Sequence, residues 1–246
     1  MIEGKRVAVV GGGLAGLAAA FRLAEHGFRV ELFESRRCLG GRVSSFRDPR
    51  SGALVDYCQH VSMGCCTNLA DFCRRSGIEP CFHRFLTLHF FGPDGKQCDI
   101  AASHWLPAPF HLMPSLMRLQ YLGLTEKLRI VQAMIRLVRY PDTDDDDGPS
   151  IGDWLRQQQQ TPRSIDRFWS AVLVSALGES LERASIYAAR KVFVEGFLAA
   201  KQACEGLVPK VPLGELFGER LTSRLAELNV QWQVNAPVQQ VSWSNS

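Results

Sequence analysis

The stretch VAVVGGGLAGL, residues 7–17, predicts the architecture of the N-terminal region. It begins with an apolar, mostly β-branched run, which is typical of a buried strand. Its glycines follow the G-x-G-x-x-G spacing of a dinucleotide-binding turn between a strand and a helix. An alanine- and leucine-rich helix is predicted over 14–26, and the alternating stretch 29–34 predicts a second strand. Together these segments predict a βαβ unit with a parallel pair of strands.

Each glycine of this turn has a separate physical role. Gly11 allows the tight turn, Gly13 lets the backbone approach a pyrophosphate, and Gly16 lets the helix pack closely on the strand. The pyrophosphate would then lie against the free N–H groups at the start of the helix. Glu34, at the end of the second strand, suits the hydroxyl groups of a ribose, and its charge disfavours the 2′-phosphate of NADP.

A second glycine turn, Leu39-Gly40-Gly41-Arg42, follows closely after Glu34. It offers another close backbone approach and a planar cation, and the guanidinium of Arg42 suits a pyrophosphate as a bidentate donor. FAD and NAD share the first motif, so the first turn alone does not separate the two cofactors.

Composition limits the class of protein. The chain has 246 residues, of which 46% are hydrophobic and 22% charged, as in ordinary globular proteins. The net charge of +3 is too small to favour nucleic acid as a partner. The N-terminus lacks the pattern of a signal peptide, so we expect a cytoplasmic protein whose eight cysteines are reduced. The cysteines lack the usual spacing of a zinc site, and no metal is predicted.

The chain is expected to fold as an α/β protein in which a Rossmann-like domain is interrupted by a mostly helical insertion. We assign 1–75 to the first part of the nucleotide-binding domain, 76–229 to a largely helical substrate domain, and 230–246 to strands that return to the first domain. The remaining predicted elements are a helix at 68–77, a hairpin of 85–91 with 97–101, helices over 113–140, 151–160, 164–177, 185–200 and 213–228, and strands at 231–234 and 238–243.

Residues 9–17, Glu34 and the Gly40-Gly41-Arg42 turn resemble the FAD-dependent amine oxidase and phytoene desaturase superfamily. The resemblance implies FAD as the cofactor. It also implies that Val238 lies in a late strand and bonds the adenine through its backbone. The cofactor-binding residues implied in this way are Gly11, Gly13, Leu14, Ala15, Gly16, Glu34, Gly41, Arg42 and Val238.

Four further stretches, 55–66, 168–169, 182–193 and 211–213, resemble the hydroxysqualene dehydroxylases of bacterial hopanoid biosynthesis. That resemblance implies a triterpene substrate, whose hydroxyl group is removed reductively to give squalene. The alternative within the superfamily is a carotenoid desaturase of the phytoene desaturase type, which removes hydrogen from its isoprenoid substrate.

The family's chains are longer, and their closing section is not found before Ser246. The chain therefore resembles an N-terminal portion, in which the C-terminal part of the FAD domain is missing. A third interpretation follows: the chain is a noncatalytic nucleotide-binding fragment, or one half of a split enzyme whose other half is a separate chain.

Two residues are candidates for the catalytic acid. His60 and Asp56 follow soon after the second glycine turn, near which the resemblance places the flavin. The alternative is that both residues only fix the loop and the cofactor.

The segment 104–140 combines five basic residues with one acidic residue, for a net charge of +4, and it is strongly apolar, with Trp105, Phe110 and several leucines. This composition is typical of a helix that lies in an anionic membrane interface. It therefore suggests peripheral association with the inner face of the cell membrane. The alternative is a pair of core helices with basic outer edges.

Overall fold

The computed structural model describes residues 4–57, 61–92, 94–141 and 148–242. The chain divides into two compact units. The first unit contains 1–62, 67–83 and 207–246, and the second contains 63–66 and 84–206.

The first three elements alternate between strand, helix and strand, and three further strands follow before the next helix. The strands are β1 Arg6–Val10, β2 Arg29–Phe33, β3 Ser45–Arg47, β4 Leu54–Asp56, β5 Ser62–Met63, β6 Phe82–Phe85, β7 Thr87–Phe91, β8 Gln97–Ala101, β9 Gly206–Pro209 and β10 Gln231–Gln233. The α-helices are α1 Leu14–Glu25, α2 Thr67–Arg75, α3 Met113–Arg118, α4 Leu124–Val138, α5 Ile151–Gln157, α6 Pro162–Ser164, α7 Ala171–Leu177, α8 Ile186–Arg190 and α9 Leu221–Glu227. Single 3₁₀ turns cover Glu79–Cys81, Phe110–Leu112 and Lys201–Cys204, and π-helical turns cover Ile165–Ser170, Lys191–Phe197 and Gly214–Arg220.

The first unit is built on a three-stranded parallel sheet in the order β1-β2-β10. In β2, Val30 and Leu32 point into the core and their neighbours do not, because side chains alternate along a strand. Helix α1 contributes Leu17 and Phe21 to the same core. The predicted βαβ unit, with its parallel β1–β2 pair, is confirmed.

Helix α9 and the π-helical turn before it also belong to the first unit. Leu216, Leu221 and Leu225 are buried in the core that contains Leu17 and Leu32. The sequence assigned this segment to the substrate domain, with boundaries at 75 and 229. The observed units instead change at residues 83 and 207, because the apolar stripe of 213–228 packs in the core of the first unit.

The second unit is mostly helical and also contains the hairpin of β7 and β8. Its core contains Trp169, which is fully buried and packs edge-on against Phe193. Predicted long helices are interrupted. The segment 113–140 forms α3 and α4 with a break at 119–123, and the predicted helices 164–177 and 185–200 of this unit each contain a π-helical turn.

The end of the described chain departs from the prediction. Residues 231–233 form β10 as expected, but 238–242 form no strand, and Trp243 lies outside the described residues. After β10, Asn235 N donates to Arg36 O and Ala236 N donates to Glu34 O. These two bonds lead the backbone across the end of β2, so residues 238–242 do not continue a ladder.

Candidate functional site

The two predicted glycine turns lie against each other in the first unit. Gly40 N donates to Gly12 O at 2.8 Å, and Gly40 forms a parallel bridge with Gly13. Gly41 has a φ of +61°, and a Cβ at this position would lie 3.0 Å from Gly13 Cα. Only glycine therefore suits the point where the second turn crosses the first. The sequence predicted both turns but gave no direct sign of their contact.

The first turn requires glycine at two positions for opposite reasons. A Cβ on Gly16 would lie 1.8 Å from Gly11 O, so Gly16 permits the close packing of α1 on the turn. A Cβ on Gly13 would meet no atom within 4 Å. The chain itself leaves that space open, as the approach of a ligand to the backbone requires.

The start of α1 is ready to accept an anion. Gly13 is the N-cap residue, and no side chain caps the helix. The N–H groups of the first turn, which includes Leu14 and Ala15, point along the helix axis at its positive end. Such a helix start is a site for phosphate groups.

Glu34 is held in place by the backbone of the first turn. The residue is 7% exposed, and its Oε2 accepts a hydrogen bond from Gly12 N at 2.6 Å. Its Oε1 accepts bonds from Arg36 N and from the Ser35 hydroxyl. Burial raises the pKa of Glu34, but these three hydrogen bonds outweigh it, and the net pKa lies below the usual value. Glu34 is therefore a carboxylate at neutral pH.

Arg42 and Val238 lie at the surface of the first unit. Arg42 follows directly after the crossing of the two turns. Val238 is two residues beyond Ala236, whose N–H donates to Glu34 O, so the chain passes Glu34 just before it reaches Val238. The cofactor roles of Arg42 and Val238 stay predictions.

Asp56 connects three elements of the first unit. Its Oδ1 accepts a bond from the Ser45 hydroxyl at 2.5 Å and another from Leu213 N at 2.9 Å, and the Ser45 hydroxyl accepts one from Gly214 N. This geometry fixes the β3–β4 hairpin to the segment that leads into α9. The other candidate acid, His60, lies outside the described residues.

The second unit contains an apolar cavity that the sequence did not predict. Its volume is about 180 Å³. Two π-helical turns supply three of its aromatic residues, and the Phe168 and Phe193 rings stack with centroids 6.0 Å apart. No charged side chain is among the lining residues, which are Leu88, Phe90, Ile100, Pro109, Phe110, Leu112, Met113, Leu116, Leu119, Ile130, Val131, Met134, Ile135, Val138, Phe168, Val172, Phe193, Phe197 and Leu198.

His111 is a buried polar residue whose two neighbours in sequence line this cavity. Its Nε2 donates to Phe197 O at 3.1 Å, because a carbonyl can only accept. Its Nδ1 is buried and has no partner among the described residues. Burial lowers the pKa of His111 below its usual value, and the nearby Lys201 lowers it further, against the opposing effect of the Phe197 carbonyl. His111 is thus a neutral imidazole with one free acceptor.

Several of the described cysteines are buried free thiols. Burial raises the pKa of Cys65 and raises that of Cys73 to about 12, so both thiols are protonated at neutral pH. No group of three histidine, cysteine, aspartate or glutamate side chains is placed to hold a metal ion within the described ranges. Cys58 lies outside those ranges.

The sequence and the fold are similar to those of known proteins. Residues 9–76 match the family described as NAD(P)-binding Rossmann-like domain. The chain is 31% identical to zeta-carotene desaturase of Zea mays over 178 residues, which are 68% of this chain and 31% of that protein. It is 28% identical to hydroxysqualene dehydroxylase of Rhodopseudomonas palustris over 237 residues, which are 90% of this chain and 51% of that protein. The chain thus spans about a third to a half of the curated relatives it matches.

Solved structures share the fold at low sequence identity. An oxidoreductase from Methanosarcina mazei has a TM-score of 0.66 at 18% identity, covering 94% of this chain and 51% of its own. Putrescine oxidase bound to putrescine has a TM-score of 0.63 at 19% identity, covering 98% and 53%. At these identities the likeness shows a shared fold, and the predicted Rossmann-like α/β class is confirmed.

Proposed function

We propose that this chain is the FAD-binding and substrate-binding portion of an oxidoreductase that acts on an isoprenoid. The observation that carries the proposal is the combination of two features in one chain. The first unit has an open approach to the backbone at Gly13 beside the buried carboxylate of Glu34. The second unit has a cavity whose walls carry no charge.

The residues present fit the ADP part of FAD. The uncapped start of α1 offers N–H groups to a pyrophosphate, and Gly13 and Gly41 leave the backbone uncovered by side chains. The lowered pKa of Glu34 keeps a carboxylate available for a ribose diol. FAD, when bound, would supply the transfer of a hydride.

An apolar substrate suits the cavity of the second unit. Burying hydrocarbon against apolar walls contributes roughly 25 cal/mol for each Å² removed from water. A charged substrate would lose its hydration there without gaining a partner. An isoprenoid chain is therefore favoured over a polyamine such as putrescine.

The preferred reaction is the reductive removal of the hydroxyl of hydroxysqualene. Its support is the match to hydroxysqualene dehydroxylase over 90% of this chain. His111 lies between two lining residues, and its buried Nδ1 has no partner among the described residues, so a His111 variant belongs in the test of any reaction that removes a hydroxyl.

The second candidate is desaturation of a carotenoid. Its support is the higher identity to zeta-carotene desaturase, 31%, although over less of this chain. The two reactions move electrons in opposite directions, so they can be separated by experiment.

Anaerobic mixing of the FAD-loaded protein with each substrate tests the proposal. Hydroxysqualene should reoxidise the reduced flavin, with squalene as the product, while zeta-carotene should leave oxidised flavin unchanged. Reduction of the flavin by zeta-carotene would favour carotenoid desaturation over the dehydroxylation of hydroxysqualene. Failure of both reactions in a protein that holds FAD would contradict an isoprenoid oxidoreductase activity of this chain.

A further inference from the structure

Helix α4 has two apolar faces, and only one of them is covered. Ile130, Ala133 and Leu137 are buried in the core of the second unit. A second row follows the spacing 4, 3, 4, 3 along the helix, which keeps its members on one side. This row is called the α4 stripe, and it consists of Leu124, Leu128, Val131, Ile135 and Val138.

The α4 stripe is largely open to solvent. Leu124 is 67% exposed and Leu128 is 56% exposed, and Ile135 and Val138 are each nearly half exposed. The outer face of a surface helix is normally polar, so an exposed apolar row of this length marks a surface that contacts something apolar.

The stripe also forms part of the cavity wall. Val131, Ile135 and Val138 belong both to the α4 stripe and to the lining of the cavity. Phe110 is a fourth lining residue that reaches solvent, and it is 56% exposed. The cavity therefore reaches the surface where the α4 stripe is exposed, and its rim is apolar.

Exposed aromatic and basic residues lie close in sequence to the residues of this rim. Trp105, five residues before Phe110, is 93% exposed. Arg136 and Arg139 are exposed at the last turn of α4 and its C-cap. Tryptophan is enriched at membrane–water interfaces, and arginines near the surface are attracted to anionic lipid head groups.

We infer that the α4 stripe, Trp105 and Phe110 form a docking surface for an anionic lipid bilayer at the mouth of the cavity. A partner helix would cover the stripe but would leave unexplained the exposed tryptophan and the net charge of +4 over 104–140. The further idea that substrate passes from the bilayer into the cavity rests on the proposed function. The docking of this surface to a bilayer does not rest on the proposed function.

Sedimentation with vesicles tests the inference. The full chain is mixed at low salt with vesicles of equimolar phosphatidylcholine and phosphatidylglycerol, and with vesicles of phosphatidylcholine alone. Binding is expected only to the anionic vesicles. Since each basic residue near the surface contributes about 1 kcal/mol, the double variant R136Q/R139Q should partition roughly thirtyfold less.

Matched variants separate the contribution of charge to vesicle binding from the contribution of apolar contact. The variant K5Q/R50Q removes the same charge from exposed sites of the first unit and should bind as the unmodified chain does. L124Q/L128Q and W105A should each lose binding, whereas V174Q, at an exposed apolar residue of α7, should not. Circular dichroism and the thermal midpoint check that each variant is folded.

Several results would overturn the inference. The first is an absence of vesicle binding by the unmodified chain. The second is binding to neutral vesicles that equals binding to anionic ones. The third is a loss of vesicle binding in the control variants as large as in the test variants. Self-association measured by sedimentation equilibrium and abolished by L124Q/L128Q would assign the stripe to a second copy of the chain. Because the assay needs neither flavin nor substrate, a negative result leaves the proposed function standing.

Discussion

At the scale of single residues, Glu34 links the two halves of the nucleotide-binding motif. Its carboxylate accepts hydrogen bonds from Gly12 N and Arg36 N. We predict that Glu34→Gln lowers the free energy of unfolding at neutral pH by about 1.5–3 kcal/mol, the range for hydrogen bonds to charged groups. Urea unfolding measures this loss, and Glu31→Gln, at an exposed site in β2, is the matched control.

The same substitution has a definite pH dependence. The pKa of Glu34 is lowered in the folded protein, so its contribution is complete above the unfolded value near 4.5 and is lost as the pH falls through the folded value. The difference between the unmodified chain and Glu34→Gln should therefore be constant near neutral pH and shrink in acid. A difference that grows in acid would contradict the assigned hydrogen bonds.

His111 should produce a pH effect at a higher pH. Its pKa is lowered in the folded state, so below about 6.5 the unfolded chain binds a proton that the folded chain does not. The free energy of unfolding should fall as the pH falls through this window. His111→Gln should remove that part of the slope. An unchanged slope would show that His111 is not held neutral.

At the scale of elements, Asp56 distinguishes a structural role from a catalytic one. Asp56→Ala leaves the Ser45 hydroxyl and Leu213 N without their acceptor, which we expect to cost about 1–3 kcal/mol in the free energy of unfolding. Asp56→Asn keeps an acceptor oxygen and should cost less. If Asn abolishes turnover with stability and flavin content intact, Asp56 acts as the acid after all.

Some of the predicted elements are confirmed and others are not, and each outcome has a physical reason. The β1–α1–β2 unit and the β7–β8 hairpin were predictable because periodicity and turn residues act locally. The absence of a strand at 238–242 was not predictable from the sequence. It follows from the hydrogen bonds that Asn235 N and Ala236 N donate to Arg36 O and Glu34 O, just beyond the end of β2. The π-helical turns that bring Phe168 and Phe193 together have no sequence signature comparable to a glycine turn.

The site was predictable to a similar extent. The glycines and Glu34 are recognisable because only glycine tolerates those contacts and the motif fixes the acid's position. The role of Asp56 depends on Leu213, 157 residues away in sequence, which no local pattern reveals. The cavity depends on residues from several helices and a hairpin, so its existence required the fold.

At the scale of the whole molecule, one side of the parallel sheet is open. Val10 of β1 is 59% exposed, and Ala8 is exposed as well, whereas parallel sheets are normally covered on both faces. We expect Val10 and Ala8 to let this face bind apolar molecules.

An apolar dye tests this expectation. The chain by itself should bind 8-anilinonaphthalene sulfonate, and Val10→Ser should reduce the fluorescence without lowering the thermal midpoint. Val174→Ser, at an exposed site of the second unit, is the matched control. Unchanged fluorescence in Val10→Ser would contradict the expectation.

The proposed contact with a membrane is made by the docking surface on α4 and not by a helix that crosses the bilayer. Within the described residues, no helix combines the length and the apolarity that crossing a bilayer requires. The α4 stripe is compatible with attachment to one leaflet, and the vesicle assay decides that question.

The open space at Gly13 is proposed to receive the pyrophosphate of FAD, and calorimetric titration of FAD and of ADP into Gly13→Ala tests this role. A Cβ on Gly13 meets no protein atom, so this variant should fold as the unmodified chain does and yet lose most of its affinity for both ligands. Gly16→Ala, whose Cβ would lie 1.8 Å from Gly11 O, should instead lower the thermal midpoint. Unchanged affinity of folded Gly13→Ala, or no binding of either ligand by the unmodified chain, would contradict the account.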